Sequence, residues 1–258
     1  MATAQQDGRP QLCAAEQQLA RAFVEQYYRT FDANRGALPN MFRDVSTVSF
    51  EGDVVVGGAN FYNKLASMGI PAHFQHRIVT VDAQPSVAGG GAVLVFVTGE
   101  YAGNQHSEVF QLVRLPDGTY YVHNCIFRVG DANPFNVPEA ARAVATGFIQ
   151  YYYSTFDSRR GDLLALYKPH SFLTLEDGVC QGQAAILERL QTIPPVQHDP
   201  ASILVDVQQI RGNEMLLLFV RGRLVVEENP LNFSEMFVLV QEGAGYYVGN
   251  HLFKFNYG

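Results

Sequence analysis

Two tandem α+β domains, each with helices laid on one face of a curved antiparallel sheet, are what the amino-acid sequence predicts. Three observations carry that expectation. A segment of the first half recurs in the second, each half opens with apolar residues at helical spacing, and each half closes with runs of strand-forming residues. The 258 residues, 47% of them hydrophobic, suffice for two domains of ordinary size with real cores.

The repeat is explicit. Phe23 to Leu38 reads FVEQYYRTFDANRGAL, and Phe148 to Leu163, 125 positions later, reads FIQYYYSTFDSRRGDL, with nine of sixteen positions identical. The match continues through Glu51 with Glu176, Gly57 with Gly182, Ala59 with Ala184 and Leu65 with Leu190. It then takes in Gln75-His76 with Gln197-His198, and ends on Tyr120 to Arg128 against Tyr246 to Lys254. We expect a first domain over 15–130 and a second over 138–257. The junction, 130–138, holds two prolines among turn formers. Fully extended it reaches roughly 25 to 30 Å, so the repeats are neighbours.

The first element of each repeat is a helix. Leu19, Phe23, Tyr27 and Phe31, matched by Val144, Phe148, Tyr152 and Phe156, place a broad aromatic stripe on one side for core packing. Pro138-Glu139 marks the start of the second copy, a proline in the first turn and an acid at the positive helix end. Leu38 to Phe42 and Leu163 to Tyr167 read as a second short helix, with Asp32 and Asp157 as its caps. Ala59 to Leu65 and Ala184 to Leu190 read as a third, after a glycine turn.

Strands follow. In the first repeat they are predicted at 76–83, 92–99, 107–114 and 120–128, the last two joined by the Leu115-Pro116-Asp117-Gly118-Thr119 hairpin. In the second repeat they are predicted at 203–210, 215–223, 233–240 and 246–255, with a hairpin at Glu242-Gly243-Ala244-Gly245. Along Val109 to Val113 both strand faces are largely apolar. If helices cover one face, the other must be buried by a partner sheet, and the tandem copy supplies one.

The charge balance narrows the function. With 18 Lys plus Arg against 25 Asp plus Glu, the net charge is -7, and no basic run exceeds Arg159-Arg160, which disfavours direct nucleic-acid binding. The first residues lack the basic and apolar regions of a secretory signal, no apolar run reaches membrane-spanning length, and Cys13, Cys125 and Cys180 are expected as free thiols. No nucleophile elbow, phosphate loop or metal motif is present, so no cofactor is expected. His76 and His198, each beside a glutamine, are expected to make structural hydrogen bonds, and no His-Asp pair emerges at interpretable spacing.

These landmarks resemble the nuclear transport factor 2 family. The resemblance rests on the opening FVEQYYRTFD, Phe50-Glu51-Gly52 followed by Gly57, the Gln75-His76 pair and the closing YVHNCIFR, and it spans nearly the whole chain after about residue 15. It implies tandem cone-shaped rolls, each with three N-terminal helices packed on a strongly bent antiparallel sheet and paired through the sheet face, either within one chain or as a homodimer. It further implies a non-catalytic transport factor or scaffold in cytoplasm and nucleus. Its implied partners are the GDP form of the GTPase Ran and phenylalanine-glycine repeats of pore proteins. Carried over by position, the partner-binding residues are Glu51, Glu176 and the acidic loop Glu227, Glu228 and Asn229; phenylalanine-glycine repeats need an exposed apolar groove, expected near Phe50 and Leu175 where the copies meet. Cys125 and His251 depart from the family's usual acid in the closing stretch, and the first repeat has Ala102-Gly103-Asn104-Gln105-His106 in place of the acidic loop. Two alternatives stand beside this reading. One is a structural cofactor of a messenger-RNA export receptor. The other is a small-molecule-binding or isomerase-like enzyme whose cavity would draw on Asp32, Asp157, His76, His198, Tyr27, Tyr28, Tyr152 and Tyr153.

Overall fold

The computed structural model describes residues 12–70, 75–129, 139–176, 178–210 and 214–256. The junction and Pro138 lie outside them. Each repeat runs long helix, 3-10 turn, strand pair, short helix and a set of long strands. In the first these are α1 (Ala14–Ala33), the turn Arg35–Met41, β1 (Phe42–Phe50), β2 (Asp53–Val56), α2 (Gly58–Ser67), β3 (His76–Pro85), β4 (Val93–Tyr101), β5 (Asn104–Arg114) and β6 (Tyr120–Val129). The second has α3 (Glu139–Arg159), the turn Arg160–Leu166, β7 (Tyr167–Leu175), β8 (Gly178–Gln181), α4 (Gln183–Gln191), β9 (Val196–His198), β10 (Leu204–Ile210), β11 (Met215–Val226), β12 (Asn229–Glu242) and β13 (Gly245–Asn256). A short 3-10 piece, Pro200–Ser202, precedes β10.

The buried face of α1 is Ala20, Val24, Tyr27, Tyr28 and Phe31, and that of α3 includes Ala145, Ile149, Tyr152, Tyr153 and Phe156. The expected stripe is thus rotated by one residue at its N-terminal end, leaving Leu19 and Phe23 half-buried. Aromatic area anchors it, since Phe23 and Tyr27 both meet the edge of Phe110.

Three expectations need correction. The second helix of each repeat is a seven-residue 3-10 turn, which in the first copy contains Pro39. Asp32 and Asp157 do not cap it. Asn34 and Arg159 hold the cap positions, without a side-chain bond. Strands also come before the last helix, because the hairpins β1-β2 and β7-β8 precede α2 and α4. Their sequences hide this by putting hydroxyls at buried positions: Ser46 and Ser171 donate to the carbonyls of Val122 and Val248, inside the pleat where an apolar residue would have revealed the period.

The third correction concerns the sheets, which are neither purely antiparallel nor strongly bent cones. Their orders are β2-β1-β6-β5-β4-β3 and β10-β11-β12-β13-β7-β8, both open with two edges, and β9 pairs beside them on β11. β1 runs parallel to β6, and β7 parallel to β13. Open sheets suit what covers their outer faces. Leu94, Phe96, Val109 and Ile126 of the first sheet form one buried cluster with Leu217, Phe219, Met236 and Leu252 of the second. Two sheets stacked face to face bury that area only if each presents a continuous face.

The contact between sheets is reciprocal. Gln84 Nε2 donates to the His251 carbonyl, and Asn250 Nδ2 donates to Gln84; in mirrored fashion Gln208 Nε2 donates to the Cys125 carbonyl, and Asn124 Nδ2 donates to Gln208. Arg128 reaches Asp206 through Nε at 2.8 Å, and Lys254 Nζ lies 3.1 Å from Asp82. The same repeat position thus supplies the cation on both sides, the pattern of a two-fold interface built inside one chain.

Candidate functional site

Between α3, α4 and the helix-facing side of the second sheet lies an apolar cavity of about 290 Å³. Phe156, Leu175, Leu190, Leu224 and Phe253 line its walls, while Glu176 and Arg189 stand among its few charged residues. Glu235 and His251 form part of the lining on the sheet side, in a saturated network. Glu235 accepts from Tyr153 Oη at 2.6 Å and meets His251 Nε2 at 2.5 Å, while His251 Nδ1 meets Tyr167 Oη at 2.9 Å. Both ring nitrogens of His251 and both carboxylate oxygens of Glu235 are therefore engaged within the protein.

Burial pushes the Tyr153 hydroxyl up, with the Glu235 charge adding to it, and burial likewise raises Tyr167. Neither phenol offers an accessible proton. The arrangement can wrap an apolar group, and His198, held by Asp157 through Nδ1, also stands in its lining. Among the described residues no group of three or more His, Cys, Asp or Glu is arranged to hold a metal ion.

The first repeat carries the matching network with different chemistry. Tyr27 and Tyr28 donate to Glu108 at 3.0 and 2.6 Å, and Cys125 Sγ, at the position of His251, donates at 3.0 Å. Burial raises the Glu108 carboxyl to about 7 against the pull of those three hydrogen bonds. Next to it, burial and the neighbouring His76 depress His106 to about 3.

The histidines expected to be structural are so, and their partners are the aspartates. His76 Nδ1 meets Asp32 Oδ1 at 2.7 Å, and Asp32 Oδ2 accepts from the His76 amide at 2.9 Å; His198 and Asp157 repeat both contacts at 2.6 and 2.9 Å. The expectation of no His-Asp pair is thereby corrected. The pairing is invisible in sequence because 44 and 41 residues separate the partners, and only the return of β3 and β9 along the long helix joins them.

The remaining candidates fall into two groups. Glu51 and Glu176 sit in hairpin turns with φ of 51° and 52°, and their carboxylates accept the backbone N–H of Val129 and Phe255 at 2.5 and 2.7 Å. Each ties its turn to the end of the neighbouring strand. Glu176 also lines the cavity. Glu227, Glu228 and Asn229 are exposed at the tip of the β11-β12 hairpin, next to Val226, which lines the cavity. The Asn229 side chain bonds back to the Glu227 carbonyl at 3.1 Å.

Phe50 does not border an exposed groove. It is 2% exposed and stacks face to face on Phe127 at 4.5 Å, since an aromatic pair between β1 and β6 gains more from the core than from water. Sequence reasoning passed over Glu108 and Glu235. The signal was available in the matching strand segments Ser107-Glu108-Val109-Phe110 and Ser234-Glu235-Met236-Phe237, where an acid recurs inside an apolar run.

Comparison with known proteins places this architecture. The nuclear transport factor 2 (NTF2) domain model matches residues 19–129 and again 144–255. The chain belongs to the NTF2 family. It carries two NTF2 domains in tandem, and it is a non-catalytic protein-binding module of the kind generally linked to transport factors. It is similar to nuclear transport factor 2 of Emericella nidulans, with 39% identity over 121 residues that cover 45% of this chain and 95% of that protein. The Oryza sativa nuclear transport factor 2 is 41% identical over 120 residues, covering 46% and 98%. The solved structure of nuclear transport factor 2 from Cryptosporidium parvum aligns with 35% identity and a TM-score of 0.42, covering 47% of this chain and 98% of that one.

Proposed function

We propose that this chain is a carrier in nucleocytoplasmic transport, moving between cytoplasm and nucleus, with NTF2 domains at 15–130 and 138–257. Its second domain binds the GDP form of Ran. One observation carries the reading: two glutamates stand exposed in a left-handed turn beside an apolar cavity. Glu227 and Glu228 have φ of 47° and 72°, values that a two-residue hairpin ordinarily fills with glycine or asparagine. Holding two non-glycine residues there costs about 1 to 2 kcal/mol each. Folding alone gains nothing from that choice. A carboxylate pair beside a dry pocket suits a partner that offers lysine or arginine around an inserted apolar side chain.

Glu227, Glu228, Asn229 and Glu176 are the contact residues in this reading, whereas Glu51 serves its turn. Calorimetry with Ran-GDP tests it. The wild-type chain binds, and the E227A/E228A double variant binds at least tenfold more weakly, consistent with about 1 to 3 kcal/mol for charge pairs at an interface. An unmodified protein with no affinity for Ran-GDP removes the assignment. The export-receptor alternative has less support, because the sheet face through which such a cofactor would pair is already covered by the chain's own second copy.

A further inference from the structure

The apolar contact between the two sheets gives way to polar groups around Ser107 and Ser234, equivalent residues of β5 and β12 that meet Oγ to Oγ at 3.1 Å. Along β11, Leu217 and Phe219 lie in the cluster between the sheets, and the strand period carries Arg221 and Arg223 onto the same face. At Gly222, between them, a Cβ would point the other way, onto Ile203 and Phe233. Leu224 pairs with His198 as Tyr101 pairs with His76, so the repeat sets Arg221 and Arg223 at the positions of Thr98 and Glu100. Two grooves open beside the serine contact, with Gln105 and Asn256 common to both.

The grooves differ in charge. The larger, of about 520 Å³, is lined by three arginines, Arg128, Arg221 and Arg223, and by no carboxylate among the described residues. The smaller, of about 220 Å³, sets Arg77 and Lys254 against Glu100 and Glu176. Lys254 holds in the second repeat the place of Arg128, so the excess of cations comes from positions 221 and 223. Folding does not demand arginine at either, because Thr98 and Glu100 serve the same places in the sister strand. At 223 the ion pair is even reversed. Arg223 Nη2 bonds to Asp199 at 3.0 Å, whereas in the first repeat Glu100 accepts from Arg77. Position 223 lines its groove and Asp199 does not, so the reversal turns the cation toward the open space.

The carboxylates nearest these cations stand outside the lining. Asp206 holds Arg128 through Nε at 2.8 Å, and the charge of Arg221 acts on both Asp206 and Glu51, whose carboxylate accepts the Val129 amide. The side chains of Arg223 and Asp199 are 58% and 36% exposed, and a pair so open to water is weak enough for a more highly charged anion to displace.

We infer that the larger groove binds a small polyphosphate anion, with Arg221 and Arg223 as its contact residues and Arg128 as the buried charge beside them. The two contact residues start about 7 Å apart on one strand face and converge on a single ligand. A guanidinium fork matches phosphoryl oxygens two at a time, and each phosphoryl group offers three acceptors and up to two charges, against two acceptors and one charge for a carboxylate. Ser107, Ser202 and Asn232 add neutral polar groups to the lining.

Calorimetry of the full chain with sodium pyrophosphate, at an ionic strength of about 0.15 M where distant charges are screened, tests this independently of the Ran-GDP reading. One site per chain is expected. Arg223→Glu installs the sister residue at an exposed position and should weaken binding by about tenfold or more, as should Arg221→Thr. Arg77→Glu makes the same change of charge in the smaller groove and should leave the affinity unchanged. No binding of pyrophosphate, wild-type affinity in either variant of the larger groove, or an equal loss in Arg77→Glu overturns the inference. Binding of O-phosphoserine without binding of pyrophosphate also overturns it, since the groove would then belong to a singly phosphorylated side chain.

Discussion

Glu108 makes the stability of this protein depend on pH in a direction opposite to that of most carboxylates. Its carboxyl is buried with two tyrosine hydroxyls and a thiol, and burial raises it from the ordinary 4.5 to about 7. The folded state therefore holds a proton that the unfolded chain releases above pH 4.5. Stability from this group is complete below 4.5 and falls as pH rises through 7, by about 3 kcal/mol. His106 acts in the other direction. Depressed from 6.5 to about 3, it is neutral in the folded protein while the unfolded chain takes up a proton, so its contribution is lost as pH falls below 6.5. Between pH 4.5 and 6.5 the two slopes, each about 1.4 kcal/mol per pH unit, cancel. Glu108→Gln keeps the shape of the side chain and removes its titration. The stability difference between variant and wild type should then move in the variant's favour by about 3 kcal/mol from pH 4 to pH 8. Urea unfolding followed by tyrosine fluorescence is a suitable assay, because the chain has 13 tyrosines and no tryptophan. A difference that stays constant across that range would show that Glu108 ionises normally in the folded protein and would refute the argument.

Two further outcomes concern the contact between the sheets. Arg128 and Asp206 are 1% and 2% exposed, so Arg128→Ala strips a buried carboxylate of its hydrogen-bonded partner and leaves only the charge of Arg221 near it, and urea titration should register a loss of about 3 kcal/mol. At Gly249 a Cβ would lie 2.5 Å from Val87 Cγ2 of the opposite repeat, so Gly249→Val should destabilise by about 1 to 3 kcal/mol. An unchanged denaturation midpoint for the Gly249 variant would mean that the segment carrying Val87 yields without strain.

What could be read from the sequence followed from period and repetition. The aromatic stripes announced α1 and α3, the apolar runs announced most of the long strands, and the duplicated landmarks announced tandem domains. The hairpins β1-β2 and β7-β8 were illegible because Ser46, Ser49, Ser171 and Thr174 occupy buried positions, trading an apolar period for hydrogen bonds to another strand or to the opposite sheet. The aspartate-histidine pairs and the Glu108 and Glu235 networks join residues far apart in the chain, which no local pattern encodes. Phe50 shows the same limit for the site: an aromatic residue in a strand reads alike whether it lines a cavity or stacks in the core. Only the register of its neighbours separates these cases.

The reciprocal contact between the sheets joins two surfaces of one polypeptide, and that changes what dilution can do. A pair of separate subunits comes apart once its concentration falls below the dissociation constant, whereas tethered halves meet at an effective concentration in the millimolar range however scarce the protein is. A cell could keep very few molecules of this chain and still have every one of them assembled.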